Sequence, residues 1–181
     1  MIETIYIEKK IKNHPRTKFI LKKFKKARIL EIDKYAEIFN KRNQNFRIQK
    51  ANPNLILAHK NDGFVHPTPE GFGIGSSENF YFSHMYNCIY DCRYCFLQGM
   101  FSSANYVIFV NFEDFDTSIK NVINKNINSK ITFFSGYDCD SLDLENVTGF
   151  AKHILPLFKK HPEVDIEFRT KSIQREPFMS I

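Results

Sequence analysis

The sequence lacks several features that would place it in one of the broad special classes of protein. No run of about 18 or more apolar residues exists, which excludes an ordinary transmembrane helix. The first eight residues lack a basic stretch followed by an apolar core, so we expect no secretory signal and a cytoplasmic protein. Only four cysteines are present. Without an export signal they favour metal or redox chemistry over a disulfide framework.

The composition that remains is ordinary for a folded protein, but its charge is uneven. The chain has 181 residues, of which 43% are apolar and 25% charged, which excludes full disorder and suffices for one domain with a real core. Residues 1–60 hold 16 Lys and Arg against 5 Asp and Glu, a balance of +11, whereas residues 61–181 hold 10 against 15, a balance of −5. Such a basic half can attract a polyanion such as nucleic acid. A solvated lysine-rich face is the alternative, and charge alone leaves both open.

The spacing of apolar residues predicts strands that alternate with helices. Strands are expected at 4–7, 28–32, 55–58, 80–82, 106–110, 131–134 and 164–168, and helices after Pro15 and over 34–42, 112–125 and 144–160. Strands joined through helices pair in parallel by right-handed crossovers, so the fold class is α/β, either a barrel or a doubly wound sheet. A stretch rich in Gly and Pro over 63–79 is predicted to be a linker between a basic N-terminal α/β subdomain, 1–62, and an incomplete barrel of about three βα units, 80–181.

Three cysteines with the spacing CxxxCxxC carry the clearest chemical signal. Cys88, Cys92 and Cys95 follow directly after the strand predicted at 80–82. Thiolates are preferred ligands of iron–sulfur clusters and of zinc. A closed zinc site needs four protein ligands, and Cys139 is a candidate for the fourth. Three thiolates on a cubane cluster instead leave one iron open for a substrate or a cofactor.

The triad and the segments around it resemble the radical S-adenosylmethionine (SAM) superfamily and, within it, the spore photoproduct lyase family. The resemblance covers about residues 55–178. It is carried by segments at matching intervals, namely 80–85 (FYFSHM), 92–98 (CRYCFLQ), 106–111 (YVIFVN), 134–141 (FSGYDCDS) and 168–171 (FRTK). It implies that residues 80–181 form the first part of a radical SAM partial TIM barrel.

The resemblance also implies a cofactor and a reaction. Cys88, Cys92 and Cys95 would hold a 4Fe–4S cluster whose fourth iron is chelated by SAM. One electron, from a donor such as ferredoxin or flavodoxin, would cleave SAM to a 5′-deoxyadenosyl radical. In the family this lyase chemistry repairs a thymine dimer in DNA, a lesion that must leave the base stack to be reached. A DNA partner would also give the basic N-terminal half a function.

Further site residues follow from the resemblance, position by position. Tyr94 matches a family tyrosine that lies beside SAM and takes part in returning the radical. Lys171 matches a lysine that contacts SAM at the end of a barrel strand, and Asp140 matches an acidic residue on the SAM side of the second barrel strand. These types suit the task, since an ammonium complements ribose oxygens or a carboxylate and a phenol can relay a hydrogen atom.

Three departures from the family pattern leave alternatives open. Phe96 replaces a second tyrosine of the repair enzymes, so a two-tyrosine relay is in doubt. Tyr137 stands where they carry a hydrogen-donor cysteine, while Cys139 lies two residues on and would share the strand face if the strand continued that far. The chain ends after about half the expected barrel, so we expect a fragment of a longer protein. The alternatives are a radical SAM enzyme with another substrate, nucleic acid or small molecule, and a non-catalytic zinc-binding module that binds nucleic acid.

Overall fold

Nine strands and seven α-helices make up the part of the chain, residues 2–179, that this computed structural model describes. The strands are β1 (Thr4–Glu8), β2 (Arg28–Ile32), β3 (Leu55–Ala58), β4 (His66–Pro67), β5 (Glu78–Phe82), β6 (Met85–Tyr86), β7 (Tyr106–Phe109), β8 (Ile131–Ser135) and β9 (Val164–Phe168). The helices are α1 (Pro15–Leu21), α2 (Ala36–Phe39), α3 (Phe46–Ala51), α4 (Leu97–Met100), α5 (Phe112–Lys125), α6 (Glu145–Thr148) and α7 (Phe150–Lys159). No helix among these residues is both long and apolar enough to cross a membrane.

The chain divides into two units, and each unit is made of two separate stretches. The first unit comprises Met1–Lys60 and Met85–Val110, and the second comprises Asn61–His84 and Asn111–Ile181. The division expected from the sequence, at 62/63 and 79/80, stays a prediction. The observed grouping adds that residues 85–110 pack with the N-terminal stretch rather than with the barrel strands.

The first unit is built on a five-stranded sheet in the order β2-β1-β3-β7-β6. The first four strands are parallel and β6 is antiparallel to β7. Every residue of β3 and β7 is buried, as parallel strands that are covered on both faces require. The sequence predicts that 106–110 belongs to the incomplete barrel. In the structure, β7 instead pairs with β3 of the first unit, with Leu55 opposite Tyr106 and Ala58 opposite Phe109.

The second unit is built on a four-stranded sheet in the order β4-β5-β8-β9. Strands β5, β8 and β9 are parallel, and the two-residue strand β4 pairs antiparallel with β5 from inside the predicted linker. Phenylalanines dominate the core of this unit, and five of them are under 2% exposed: Phe82, Phe112, Phe115, Phe133 and Phe150. The mixed α/β class with parallel sheets, predicted from the alternation of strands and helices, is confirmed.

Three predicted helices are shorter than expected. The helix expected over 34–42 extends only over Ala36–Phe39. The helix expected over 144–160 is broken at Gly149, whose φ of 64° ends α6 in the left-handed region that glycine favours. The Glu145 carboxylate then accepts from the N–H groups of Ala151 (2.9 Å) and Lys152 (3.0 Å), so it caps the start of α7. The helix that begins at Pro15 ends at Leu21, three residues before Phe24.

Candidate functional site

The three cysteines of the CxxxCxxC motif lie on one loop of the first unit, between β6 and α4. None of them forms a disulfide; Cys88 is buried, whereas Cys92 and Cys95 are half-buried. The loop starts at Asn87, whose positive φ of 61° turns the chain away from β6. The Asn87 amide group donates to the carbonyls of Ser103 (2.7 Å) and Asn105 (2.8 Å). This anchors the loop to the edge of the sheet where β7 begins.

The donor set of this loop suits an iron–sulfur cluster, although the thiols are not gathered around a single point. Within residues 2–179 no three His, Cys, Asp or Glu side chains are placed to bind one metal ion. Cys88 and Cys95 nevertheless line one small cavity together with Asn87 and Lys50. The Asn87 Oδ1 atom is buried and has no hydrogen-bond partner in the described part of the chain. Soft thiolates beside an ammonium group and an unsatisfied polar atom fit such a cofactor, and the ligand assignment stays a prediction.

Helix α3 holds the cysteine loop through two basic side chains that sequence reasoning missed. The Lys50 ammonium donates to the Cys88 carbonyl, and the Arg47 guanidinium pairs with the Asp91 carboxylate at 2.9 Å. The Gln98 amide adds bonds to Asp91 (3.1 Å) and to the Cys92 carbonyl (2.9 Å). A signal for α3 was present in the sequence: Asn45 accepts from the N–H of Ile48 as an N-cap, and residues 47 and 50 are three apart on one helix face.

The outer side of the cysteine loop carries large exposed side chains. Tyr94 is 82% exposed and Phe96, at the position of the second family tyrosine, is 54% exposed. Tyr94 is thus brought onto the same eight-residue loop as the three cysteines. Its assignment to the radical return path and to SAM binding stays a prediction.

In the second unit, a sharp turn follows β8 and fixes where Tyr137 and Cys139 lie. The strand ends at Ser135, and Gly136 has a φ of 78°. A Cβ at Gly136 would lie 2.7 Å from the Ser141 Oγ, so only glycine fits there. Because the strand does not reach residue 139, the strand face that Tyr137 and Cys139 were to share does not exist. Cys139 is buried in the turn, whereas Tyr137 is 37% exposed.

Asp140 connects this turn to the segment that follows β9. Its Oδ1 atom accepts from the Leu142 N–H (3.0 Å) and the Thr170 hydroxyl (2.6 Å), and its Oδ2 atom accepts from the Lys171 N–H (2.6 Å). Ser141 adds two further bonds, donating from Oγ to the Ser135 carbonyl (2.7 Å) and accepting from the Arg169 N–H (3.0 Å). Asp140 and Lys171 are therefore brought together, through a carboxylate–backbone contact that leaves the Lys171 side chain exposed.

Two aromatic contacts complete the surroundings of this turn. The Tyr137 ring lies on that of Tyr81 with centroids 4.4 Å apart, and burial together with the nearby Asp138 raises the pKa of Tyr81. His84 is stacked on Phe150, with centroids 4.1 Å apart and ring planes 1° apart. Burial lowers the pKa of His84 to about 3, so its imidazole is neutral at pH 7. This agrees with a packed core histidine rather than a metal ligand.

The structure thus assembles the predicted residues in two groups, one in each unit. Cys88, Cys92, Cys95 and Tyr94 share one loop of the first unit. Tyr137, Cys139, Asp140 and Lys171 lie in the second unit, after the barrel-type strands β8 and β9. Neither group contains a metal-binding set that is complete by itself.

Comparisons with known proteins find similarity at the level of structure. No protein-family model matches the sequence, and no curated protein matches it. A cysteine-to-serine mutant of spore photoproduct lyase matches with a TM-score of 0.80 at 16% identity, over 97% of this chain and 52% of that one. A double mutant of that lyase with bound AdoMet and dinucleoside spore photoproduct matches with a TM-score of 0.74, at 16% identity over 92% and 48%. A further match is a spore photoproduct lyase complexed with dinucleoside spore photoproduct, with a TM-score of 0.76 and 17% identity.

These matches establish the fold. The chain has the mixed α/β fold of part of spore photoproduct lyase, a radical SAM fold, and it spans about half the length of the lyase chains that it matches. The resemblance read from the sequence is confirmed at this level.

Proposed function

We propose that this chain is part of a radical SAM enzyme of the spore photoproduct lyase type that acts on damaged thymines in DNA. The observation that carries the proposal is the coincidence of two independent features. The fold matches these lyases over nearly the whole chain, and the three thiols of the CxxxCxxC motif are free and lie on one loop, a donor set that suits a 4Fe–4S cluster.

Substrate and partners follow from the same similarity. Two of the lyase structures contain the dinucleoside spore photoproduct, and one also contains AdoMet. For this chain we propose SAM as the cofactor, DNA as the substrate, an electron donor such as ferredoxin or flavodoxin, and a cytoplasmic location. At 16% identity these finer assignments are part of the proposal.

The chain's own residues have distinct tasks in this proposal. Bound cluster and SAM would supply the radical that abstracts a hydrogen atom from the substrate. Cys88, Cys92 and Cys95 provide thiolates, while Lys50 and Arg47 fix the loop that carries them. Asp140 holds Thr170 and Lys171 by hydrogen bonds. The backbone of Lys171 is thereby held in place, and its ammonium would complement a carboxylate or ribose oxygens.

The exposed phenol of Tyr137 favours a second candidate, a radical SAM enzyme with a different substrate. After β8 the exposed side chain is Tyr137, while the thiol of Cys139 is buried. A phenol gives up its hydrogen atom to a different range of radicals than a thiol does. Turnover of thymine-lesion DNA that survives Tyr137→Phe but is lost in Cys139→Ala would support the thiol as donor and remove this candidate.

Metal content and electron paramagnetic resonance of the anaerobically reconstituted, dithionite-reduced chain test the proposal directly. We expect about four irons and four sulfides per chain, and a reduced-cluster signal that changes when SAM is added. Cys92→Ala should lose the signal, while Cys139→Ala should retain it. One zinc per chain with no cluster signal would contradict the proposal and indicate the zinc-binding module instead.

A further inference from the structure

A concave surface in the first unit is lined by four lysines and three apolar residues. We call residues 22–27, which follow α1, the lysine loop. Lys22, Lys23, Lys25 and Lys26 surround an open concavity of about 600 Å³, whose other walls are Ile2, Phe24 and Ala27. All four lysines are exposed. The four lysines therefore line one open recess, and the Lys23 ammonium also lies over the Phe19 ring, 4.8 Å from its centroid.

The backbone of the lysine loop is held by its own hydrogen bonds. The N–H groups of Lys23 and Phe24 donate to the carbonyls of Ile20 and Leu21, each at 3.0 Å, and the Ala27 N–H donates to the Phe24 carbonyl at 3.0 Å. Half-buried Phe24 anchors the middle of the loop. The lysines are consequently presented from a defined turn, and only their side chains need to be ordered when a ligand binds.

The charge of the lysine loop is not neutralised by the rest of the described chain. Elsewhere in this unit, Lys9 pairs with Asp33 at 2.7 Å and Lys12 pairs with Glu31. None of the four loop lysines has a carboxylate partner within residues 2–179. Placing uncompensated like charges together costs electrostatic free energy that a polyanionic ligand would recover.

The topology of the five-stranded sheet places the lysine loop and the cysteine loop at the same end of the strands, the end at which β1, β2, β3 and β7 begin. The lysine loop leads into the start of β2, which runs parallel to β1, β3 and β7. Strand β6 runs the other way, so Cys88 emerges at the edge where β7 begins. In the order β2-β1-β3-β7-β6, the two strands to which these loops are attached are four strand spacings apart, or about 19 Å. At about 3.4 Å per nucleotide, that span is about five to six nucleotides of a duplex.

We propose that the lysine loop is a phosphate-binding subsite that grips a nucleic acid backbone about half a helical turn from the cysteine loop. Binding of phosphates at this subsite depends only on the charge and the shape of the lysine loop. That the same nucleic acid also presents a lesion to the cysteine loop rests on the proposed function. Nucleic acid fits better than an anionic membrane, because the lysines line a recess rather than an apolar protrusion that could enter a bilayer.

Salt-dependent binding of duplex DNA tests this subsite without any need for activity. The probe is a fluorescent, undamaged duplex of about 21 base pairs, two helical turns, titrated with the full chain at several salt concentrations. The test variant replaces Lys22, Lys23, Lys25 and Lys26 by Gln. A matched control replaces four exposed lysines of the second unit by Gln: Lys120, Lys125, Lys159 and Lys160. Both variants change the net charge equally, and circular dichroism confirms that each is folded.

Each lost phosphate contact lowers the slope of log affinity against log salt by about 0.9. We expect the lysine-loop variant to lose about 2 to 4 from this slope, and about 10-fold or more in affinity at 0.1 M salt, whereas the control should lose less than about 1. Equal slopes for wild type and the lysine-loop variant would overturn the subsite. So would a variant that loses binding to phosphatidylserine vesicles but keeps its slope on DNA. Because the probe is undamaged and no cluster is needed, a failed cluster reconstitution would contradict the proposed function and leave this result standing.

Discussion

The two loops that carry the candidate site residues are held in place in opposite ways. The cysteine loop is anchored at its start by buried Asn87, but further along it is held by long exposed side chains, and both partners of its Arg47–Asp91 ion pair are more than half exposed. The turn over 136–141 is held from inside, since Ser141 is fully buried and bonds to the backbone on both sides. Exposed ion pairs contribute little free energy, whereas buried polar groups are costly to leave unsatisfied.

This difference suggests a division of tasks. A loop held by exposed side chains can rearrange at small cost when three thiolates close around a metal cluster. A turn fixed by buried hydrogen bonds keeps the same shape with and without a bound cofactor. It can therefore hold Lys171 and Tyr137 in place before the cofactor binds. Four substitutions test this contrast, two in the turn, one in the core beneath it and one beside the cysteine loop.

Gly136→Ala should have the largest effect, because it adds a Cβ at the most tightly packed point of the turn. A Cβ there meets Ser141 atoms at 2.7 to 3.0 Å, and the φ of 78° is strained for any side chain. We expect a loss of about 3 kcal/mol in the free energy of unfolding, measured by urea denaturation.

Gly149→Ala is the matched control for this change. Gly149 also has a positive φ, of 64°, but nothing lies within 4 Å of its added Cβ. It should therefore lose only about 1 kcal/mol from backbone strain. Similar losses at both positions would show that the turn is not tightly packed and would weaken the contrast.

Asp140→Ala should cost about 2 kcal/mol. It removes an acceptor shared by the Leu142 N–H, the Thr170 hydroxyl and the Lys171 N–H, and of these Leu142 is buried. Thermal unfolding gives the loss, and increased proteolysis near residue 171 would show that the segment after β9 has been released. Unchanged stability together with lost SAM binding would instead make Asp140 a ligand residue without a structural role.

The lowered pKa of His84 predicts that the free energy of unfolding depends on pH, with a change about as large as the loss expected for Asp140→Ala. Its pKa falls from 6.5 in the unfolded chain to about 3 in the fold, so between these values the unfolded state binds more protons. Stability is therefore complete above pH 6.5 and is lost as the pH falls, by about 2 kcal/mol between pH 6.5 and 5.

The difference between wild type and His84→Phe over this pH range isolates the histidine from other titrating groups. The variant keeps an aromatic ring against Phe150 and cannot be protonated. Parallel pH profiles for the two proteins would show that the pKa of His84 is the same in the folded and unfolded chain, and would contradict this prediction.

Arg47→Ala should have the smallest effect on the fold, below about 1 kcal/mol, because its ion pair with Asp91 is exposed. Its effect on reconstitution should be clearer, with less iron retained per chain than in wild type. Arg42→Ala, an exposed neighbour in the sequence, is the control. Equal iron retention in both variants would remove α3 from the positioning of the cysteine loop.

The strands and the long helix were predictable because their signals are local. Strands β3 and β9 and helix α5 have the limits that apolar spacing predicts, since each buries an uninterrupted run or one face. The assignment of Tyr106–Phe109 to the first sheet was not predictable, because a fully apolar strand carries no mark of its partner. Only the pairing with β3 decides it, and that contact is distant in sequence.

The site shows the same limit. The cysteine motif is visible in the sequence because its three ligands lie within eight residues. The bond from Lys50 to the Cys88 carbonyl spans 38 residues, and the bond from Asp140 to Lys171 spans 31. These contacts depend on how strands are ordered in each sheet, which no local pattern specifies. The strand predicted at 131–134 ends at Ser135, within one residue, so the extension that would have placed Cys139 on the same strand face as Tyr137 does not occur.

The interleaved course of the chain through its two units has a consequence for how the protein is made. A ribosome delivers β1, β2 and β3 first, but β3 receives its partner β7 only after residue 109 has been synthesised. By then β5 of the other unit has already emerged, and its partner strand β8 is complete only after residue 135 has been synthesised. Two half-finished sheets with open edges therefore coexist on the nascent chain. Synthesis pauses between residues 58 and 109 are where we expect misfolding to begin, and cutting the gene anywhere between residues 68 and 105 would leave neither sheet whole.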